Sequence, residues 1–305
     1  MSTVRPTRFA SKPSFTAKQT RAAWLFLAPF IVAFVAMLVV PLFYSGYLSL
    51  FQNRIIGGEV FVGLDNYVEA FTDPAFWEAI GRMTIFLLVQ VPIMLGLALF
   101  FALALDSRRV RGSSFTRLAI FVPYAVPGVI ATLMWGYFLG NDFGPIAQGL
   151  RALGLPAPDM LAPGWNILSS MMNIVSWEYI GYNMIIMYAA LRAIPEELYD
   201  AASVDGAGPW RTAWSIKIPA IRPAIMLTVI FSIIGTFQLF NEPQLLDRIS
   251  PIAITNSYTP NLYAYNLAFV NQDVNYAATI AFVLGLVTMV ISYIVQLSTN
   301  RKERA

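Results

Sequence analysis

Long apolar segments constrain the fold of this chain more than any other feature of its sequence. Of the 305 residues, 57% are hydrophobic and only 12% are charged, which is too apolar for a soluble domain of this length. An α-helix needs about 20 predominantly apolar residues to cross the hydrocarbon core of a bilayer. The sequence therefore predicts an all-α membrane protein with six transmembrane helices, at residues 24–50, 79–105, 118–139, 166–191, 223–240 and 276–296.

The segment before the first apolar run is basic and carries no acidic residue. It holds Arg5, Arg8, Lys12, Lys18 and Arg21. A basic head followed by an apolar run is also the pattern of a secretory signal peptide. This run is too long for one, however, and no small-residue cleavage site follows it. We expect a tail at residues 1–23 and a retained membrane helix at 24–50.

The distribution of Lys and Arg predicts the orientation. Six spans place both termini on one side of the membrane. The 1–23 tail, the 106–117 loop, the 192–222 loop and the 298–305 tail hold five, four, four and three of the 20 basic residues. Because cytoplasmic loops carry the excess of Lys and Arg, we expect both termini and the 192–222 loop to be cytoplasmic.

Residue types that are missing exclude several functions. The chain has no His and no Cys, so imidazole or thiolate metal sites and His-based catalysis are excluded. A phosphate-binding loop needs a lysine directly after a glycine, and none of the lysines, at 12, 18, 217 and 302, follows one. We predict no catalytic residue and no metal site, and the chain is not expected to be an enzyme by itself.

The longest polar interruption in the second half of the chain has the pattern of two short helices joined by a glycine turn. Pro195 can begin the first helix, with Glu196 and Glu197 in its first turn, where the helix dipole favours acids. The Gly-Ala-Gly run at 206–208 ends that helix, and Pro209 can begin the second. The pattern predicts a helix–turn–helix on an exposed surface.

This stretch resembles the EAA loop of ABC importer permeases, whose usual form is Glu-Ala-Ala, three residues, Gly, nine residues, Ile, one residue, Leu-Pro. Asp200 stands in place of the Glu and Ile218 in place of the Leu. The remaining positions match at the same spacing: Ala201, Ala202, Gly206, Ile216 and Pro219. The segments at 193–199 and 205–207 are similar to the carbohydrate branch of that family, the MalF/UgpA-like permeases. The likeness extends over residues 63–296.

The resemblance implies a type I ABC importer (MetI-like) transmembrane fold, with a permease domain at 75–297 in a bacterial or archaeal cell membrane. It implies a second homologous permease subunit, two ATP-binding cassette subunits that hold ATP and Mg, and an extracytoplasmic solute-binding protein. No cofactor is expected in this chain, and no nucleic acid partner. The residues implied to couple it to the ATPase subunits are Glu197, Asp200, Ala201, Ala202, Asp205, Gly206, Ala207, Trp210 and Pro219.

An alternative interpretation of the 192–222 loop does not involve a partner protein. The loop could lie in the lipid headgroups as an amphipathic segment, with Trp210 and Trp214 as interfacial anchors.

Two acids at or near membrane depth indicate a solute path, because an intramembrane carboxylate is costly and usually functional. Glu178 lies in the fourth run and Glu242 follows the fifth. Aromatic rings stack on sugar rings, while amides and carboxylates bind their hydroxyls. We expect one cavity lined by Trp177, Glu178, Tyr182, Asn183, Gln238, Asn241 and Glu242. Alternatively, the aromatic residues form lipid-interface belts and Glu178 makes a helix–helix hydrogen bond.

The placement of basic residues also bears on the solute. No Lys or Arg lies deep in any predicted span, which favours a neutral sugar or polyol over an anion. A second membrane subunit could supply the charge, so a solute such as a glycerophosphodiester stays open. An ion-coupled secondary transporter would need paired intramembrane ionisable residues and an internal repeat, and neither is evident. No motif supports an intramembrane enzyme.

Overall fold

The computed structural model describes residues 17–54, 56–107 and 112–303, and within them the protein is mostly helical. The basic residues Arg5, Arg8 and Lys12 of the predicted tail, the loop arginines Arg108, Arg109 and Arg111, and Arg304 lie outside the described residues. The helices are α1 Ala17–Phe34, α2 Val40–Leu48, α3 Asp65–Thr72, α4 Pro74–Asp106, α5 Ser113–Ala125, α6 Gly128–Leu139, α7 Pro145–Ala152, α8 Trp165–Arg192, α9 Glu196–Val204, α10 Pro209–Thr212, α11 Ile218–Ala220, α12 Arg222–Phe237, α13 Asn241–Ile249, α14 Pro260–Tyr265 and α15 Val274–Glu303. Short π-helical segments occur at Val35–Val39, Ala213–Lys217 and Asn266–Val270.

Three helical stretches of the described chain are long and apolar enough to cross a membrane: Thr20–Leu48, Pro74–Asp106 and Val274–Leu297. Two bent pairs of helices raise the number to five if each pair is a single span. The remaining predicted span corresponds to α8, which has 28 residues but is interrupted by polar side chains such as Glu178 and Asn183. The protein is thus a helical membrane protein with several spans, and a total of six stays a prediction.

The third predicted span, at 118–139, is divided into α5 and α6, which meet at an angle of 95°. The division is at Val126, whose backbone is extended (φ −77°, ψ 128°), directly before Pro127. A proline disfavours the helical conformation of the residue before it, which explains why the break is there. Pro123 lies within the last turn of α5 without interrupting it.

A β-hairpin is present that the all-α prediction did not include. Strands β1 (Phe51–Arg54) and β2 (Gly58–Phe61) pair antiparallel, with Phe51 opposite Phe61. Gly57 and Gly58 adopt φ values of +109° and +71°, a region that glycine enters without steric cost. The side-chain amide of Asn66 donates to the carbonyls of Ser49 and Phe51 at 2.9 and 2.8 Å and attaches the hairpin to α3.

The core is formed mainly by α4 packed along α8, and it has two parts. Near the start of both helices, Phe76, Met83 and Phe86 pack with Ile167 and Met171. Near their ends, the core contains Met94, Ala98, Leu105, Met184 and Leu191. Helices α4 and α8 are therefore common to both parts, and they position the residues between them.

Helix α5 crosses α8 very closely at Gly181. A Cβ on Gly181 would lie 2.7 Å from the carbonyl carbon of Ile120 and 2.8 Å from the Cα of Phe121, and would overlap the Ile120 carbonyl oxygen. Only glycine permits this approach of two backbones. The crossing brings Tyr124 of α5 onto Tyr182 of α8, with ring centroids 4.7 Å apart and nearly parallel planes.

Candidate solute cavity and coupling loop

A cavity of about 280 Å³ lies between α4, α8, α12 and the segment that joins α12 to α13. Its wall contains aromatic and aliphatic groups such as Phe86, Phe231 and Phe240. Its polar lining residues are Gln90, Tyr179, Tyr182, Asn183, Ser232, Thr236, Gln238, Asn241 and Glu242. Mixed apolar and polar walls of this kind are typical of small-molecule sites.

Five of the seven residues predicted from the sequence line this cavity. Tyr182 and Asn183 reach it from α8, and Gln238, Asn241 and Glu242 reach it from the end of α12 and the start of α13. Residues 55 or more positions apart in the chain are therefore brought to one space by helix packing.

The second group reaches the cavity because a helix is broken there. Helix α12 ends at Phe237 and α13 begins at Asn241, and the last carbonyls of an α-helix have no partner within the helix. The hydroxyl of Thr259 donates to the Leu239 carbonyl at 2.8 Å, and the Asn261 amide donates to the Gln238 carbonyl at 3.0 Å. These bonds pair two of the backbone carbonyls that the end of α12 leaves without a partner in the helix.

Four polar residues of the cavity are not in the set predicted from the sequence: Gln90, Tyr179, Ser232 and Thr236. The Gln90 amide lies 3.2 Å from the hydroxyl of Ser176 on α8. A glutamine in the middle of the apolar run at 79–105 was a signal that could have identified it. Ser232 and Thr236 are short polar residues that occur in many membrane helices, so their position gave no such signal.

Trp177 and Glu178 do not line the cavity. The Trp177 ring packs edge-on against Trp135 of α6, with centroids 5.9 Å apart. The Glu178 side chain is buried and faces α6, where a Cβ on Gly128 would lie 3.3 Å from its Oε1. Its Oε2 has no hydrogen-bond partner among the described residues. These two residues therefore belong to the packing of α6 on α8 rather than to the cavity wall.

The 192–222 loop forms two short helices joined by a turn at Gly206. Helix α9 ends with the Ala207 amide donating to the Ala202 carbonyl at 2.9 Å and the Gly206 amide donating to the Ser203 carbonyl at 3.1 Å. Gly206 has a φ of +71°. This is a Schellman ending, which requires a left-handed residue and is most often built with glycine.

The predicted coupling residues are mostly exposed. Ala202 is buried and Ala207 is half-buried, while the others are exposed: Glu197, Asp200, Ala201, Asp205, Gly206, Trp210 and Pro219. Trp210 and Trp214 lie side by side, with ring centroids 5.9 Å apart and 76% and 58% of their surfaces exposed. The loop thus presents apolar surface that the described part of the chain does not cover.

The loop is attached to the rest of the protein through Lys217. Its ammonium group lies 2.5 Å from Oδ2 of Asp106, the last residue of α4, and 5.1 Å from the centre of the Tyr199 ring. Burial raises the pKa of Tyr199, and the Asp106 charge raises it further, against a lowering by Arg192. Tyr199 therefore stays neutral beside the ion pair at physiological pH.

Comparison with known proteins assigns the family. The family described as "Binding-protein-dependent transport system inner membrane component" matches residues 20–304. This chain belongs to that family. As an inner membrane component it is a multi-pass cell membrane protein and a non-catalytic permease subunit.

Individual relatives cover nearly the whole permease. The lactose transport system permease protein LacF of Rhizobium radiobacter is 34% identical over 89% of this chain and 91% of LacF. Two crystal structures of bacterial alginate ABC transporters contain a chain of the same fold, both at 21% identity. One structure matches with a TM-score of 0.80. The other, which is in complex with an alginate pentasaccharide-bound periplasmic protein, matches with a TM-score of 0.77. Each match covers 93% of this permease and 96% of the other chain.

Proposed function

We propose that this permease forms half of the translocation pathway for a sugar or sugar-like solute in an ATP-driven importer. The cavity between α4, α8 and the α12–α13 break is the observation that carries the proposal. It combines aromatic faces (Tyr182, Phe231 and Phe240) with amides and a carboxylate (Asn183, Gln238, Asn241 and Glu242). Faces that stack on sugar rings and groups that bind hydroxyls are what a carbohydrate requires.

We propose six transmembrane spans with both termini cytoplasmic, in a type I importer fold. This count includes α8, whose 28 residues extend about 42 Å and exceed the hydrocarbon thickness of about 30 Å. Its polar residues do not argue against a span, because Asn183 and Glu178 are buried within the protein rather than exposed to lipid.

The solute is proposed to be neutral. Among the described residues that line the cavity there is no Lys or Arg, and Glu242 carries the one acidic side chain. An anionic solute such as a glycerophosphodiester would meet the Glu242 carboxylate without a compensating cation from this subunit. Lactose, named for the relative LacF, is a neutral sugar of the proposed class.

The energy is proposed to come from two separate ATP-binding cassette subunits that contact the 192–222 loop. The exposed apolar residues Val204, Trp210 and Trp214 support a protein contact there, because contiguous apolar surface on a membrane-external segment indicates a binding site. A second homologous permease would complete the pathway. An extracytoplasmic binding protein is supported by the periplasmic protein in the related alginate transporter structure.

Uptake by the reconstituted complex tests this function. Proteoliposomes that contain this permease, its membrane partner, the ATPase subunits and the binding protein would be given labelled lactose and other neutral oligosaccharides, with ATP and Mg at the cytoplasmic face. We expect uptake of one of these sugars that depends on hydrolysable ATP. Uptake that persists without the ATPase subunits and is abolished by an ionophore would instead identify an ion-coupled secondary transporter.

A further inference from the structure

Helix α4 extends through both parts of the core and carries a carboxylate at each end. Its 33 residues, Pro74–Asp106, extend about 50 Å. Asp73 precedes its first residue and Asp106 is its last. The two carboxylates bind segments that are distant in sequence, so α4 connects regions that lie at its opposite ends.

The Asp106 end holds the coupling loop. The Asp106–Lys217 pair is well shielded, with 5% and 14% of the two side chains exposed. Removing one partner of a shielded pair leaves a charge without compensation, which makes such contacts strong determinants of geometry. Lys217 ends the π-helical segment Ala213–Lys217, directly after the exposed helix α10. A displacement of the loop must therefore move Asp106 or break the pair.

The Asp73 end holds the segment between α13 and α15. Asp73 Oδ1 accepts from the Ala75 amide at 2.9 Å and caps α4. Its Oδ2 accepts from the hydroxyls of Tyr263 and Tyr276 at 2.7 and 2.9 Å. About two and a half turns further along α4, Arg82 donates to the Tyr258 carbonyl at 2.5 Å and lies 4.3 Å from the centre of the Tyr258 ring.

The same segment supports the cavity wall. Thr259 and Asn261, between Tyr258 and Tyr263, are the residues that donate to the Leu239 and Gln238 carbonyls at the α12–α13 break. Polar contacts therefore connect Lys217 to Asp106, the outer end of α4 to residues 258–263, and these residues to the cavity.

The middle of α4 is braced where it would otherwise be weakest. Pro92 lies inside the helix and removes one backbone donor. Close to it, the Gln90 amide contacts Ser176 of α8 at 3.2 Å, and Met94 is buried against the same helix. Side-chain contacts on both sides of Pro92 keep α4 aligned with α8.

We propose that α4 is a strut that transmits displacement of the coupling loop to the α12–α13 break, with Lys217, Asp106, Asp73 and Tyr263 as its positioning residues. The proposal rests on the proposed function, since the displacement comes from ATPase subunits. It assigns the transmission to α4 rather than to α12 alone, although α12 is joined covalently to both the loop and the break.

The absence of cysteine allows a direct test in the assembled importer. Ser232→Cys introduces a single thiol into the cavity, and a membrane-impermeant maleimide is the probe. The labelling rate would be measured with and without ATP and Mg, and ATP hydrolysis would be measured in the same samples. The response is the ratio of the two labelling rates, so no transported solute is required.

Substitutions at opposite ends of α4 distinguish a loss of transmission from a general loss of stability. We expect Lys217→Met and Tyr263→Phe each to reduce the response, Lys217→Met by about tenfold, with ATP hydrolysis continuing. The response of the double variant should be no smaller than that of Lys217→Met alone, because both substitutions interrupt the same connection. The exchange Asp106→Lys with Lys217→Asp should restore part of the response. Arg21→Met is the matched control because it removes a positive charge at an exposed position of α1. This variant should keep the full response.

Each contrary result has its own meaning. A full response in Lys217→Met would overturn the strut, and so would losses that simply add in the double variant, since independent sites far apart behave additively. If the Ser232→Cys permease shows no response although ATP-dependent sugar uptake persists, the strut is overturned while the proposed function stands. If ATP-dependent uptake is absent as well, the proposed function fails and the inference fails with it.

Discussion

The α5–α8 crossing allows the sharpest test of the structure. The perturbation is Gly181→Ala, the addition of one methyl group at the point of closest approach. The new Cβ would overlap the Ile120 carbonyl oxygen and lie 2.7 Å from its carbon, whereas real Cβ atoms essentially never come within 3.0 Å of another heavy atom. The neighbouring atoms are backbone and cannot rotate away. Helix α5 must therefore shift or tilt.

The expected cost follows from this geometry. Forcing an extra methyl group into a well-packed contact costs about 1–3 kcal/mol. The intrinsic preference of alanine over glycine inside a helix, about 1 kcal/mol, offsets part of that cost. The net loss is therefore up to about 2 kcal/mol, which lowers the melting temperature by up to about 5 °C for a protein of this size. The shift also moves Tyr124 away from Tyr182, next to the cavity.

Fluorescence-detected size-exclusion chromatography after heating measures the loss without a thiol-reactive dye, which suits a chain without cysteine. Gly96→Ala is the matched control, because Gly96 lies in the apolar helix α4 and a Cβ there has no neighbour within 4 Å. We expect the control to melt at or slightly above the wild-type temperature. If Gly181→Ala melts as the control does, α5 and α8 are not in backbone contact, and the reasoning on the crossing is refuted.

Three further predictions concern the loop and the cavity. Gly206→Ala should impair ATP-driven uptake because alanine at a φ of +71° costs about 1–2 kcal/mol. Gly208→Ala, at a φ of −69°, should impair uptake less, and equal effects would contradict a role for the left-handed turn. Trp210→Ala should weaken binding of the ATPase subunits in a titration by about tenfold, and it should not alter the melting temperature because the side chain is exposed. Unchanged binding would favour a contact of Trp210 with lipid. Glu242→Gln should raise the KM for sugar uptake by about tenfold, which corresponds to the free energy of a hydrogen bond to a charged group. A lowered kcat with an unchanged KM would argue against sugar binding at Glu242.

Much of the architecture could be predicted from the sequence because apolar periodicity and turn residues act locally. The long helix α4 follows from one uninterrupted apolar run, and the turn at Gly206 follows from the Gly-Ala-Gly sequence. Pro127 explains the position of the division at Val126–Pro127, but the angle of 95° depends on which helices α5 and α6 pack against. That packing is not encoded in the residues at the bend.

The hairpin at 51–61 and the surroundings of Glu178 could not be predicted for different reasons. The hairpin is short, and its apolar residues Phe51 and Phe61 belong to polar surroundings that gave no strand periodicity. Glu178 lies one turn from Tyr182 on α8, so helical spacing alone favoured a common surface. The close crossing of α6 at Gly128 encloses the carboxylate instead, and only the three-dimensional packing contains that information.

The break between α12 and α13 explains why so many polar contacts of this permease converge on residues 258–263. Ending a helix exposes backbone groups, and the break also turns Gln238, Asn241 and Glu242 toward the cavity. Thr259 and Asn261 can satisfy that backbone only if residues 258–263 are held in place. Asp73 and Arg82 of α4 hold these residues in place. Burial and the hydrogen bond to Asp73 raise the pKa of Tyr263, so its hydroxyl stays protonated and remains a donor. The position of the cavity wall therefore depends on α4, although few α4 residues line the cavity.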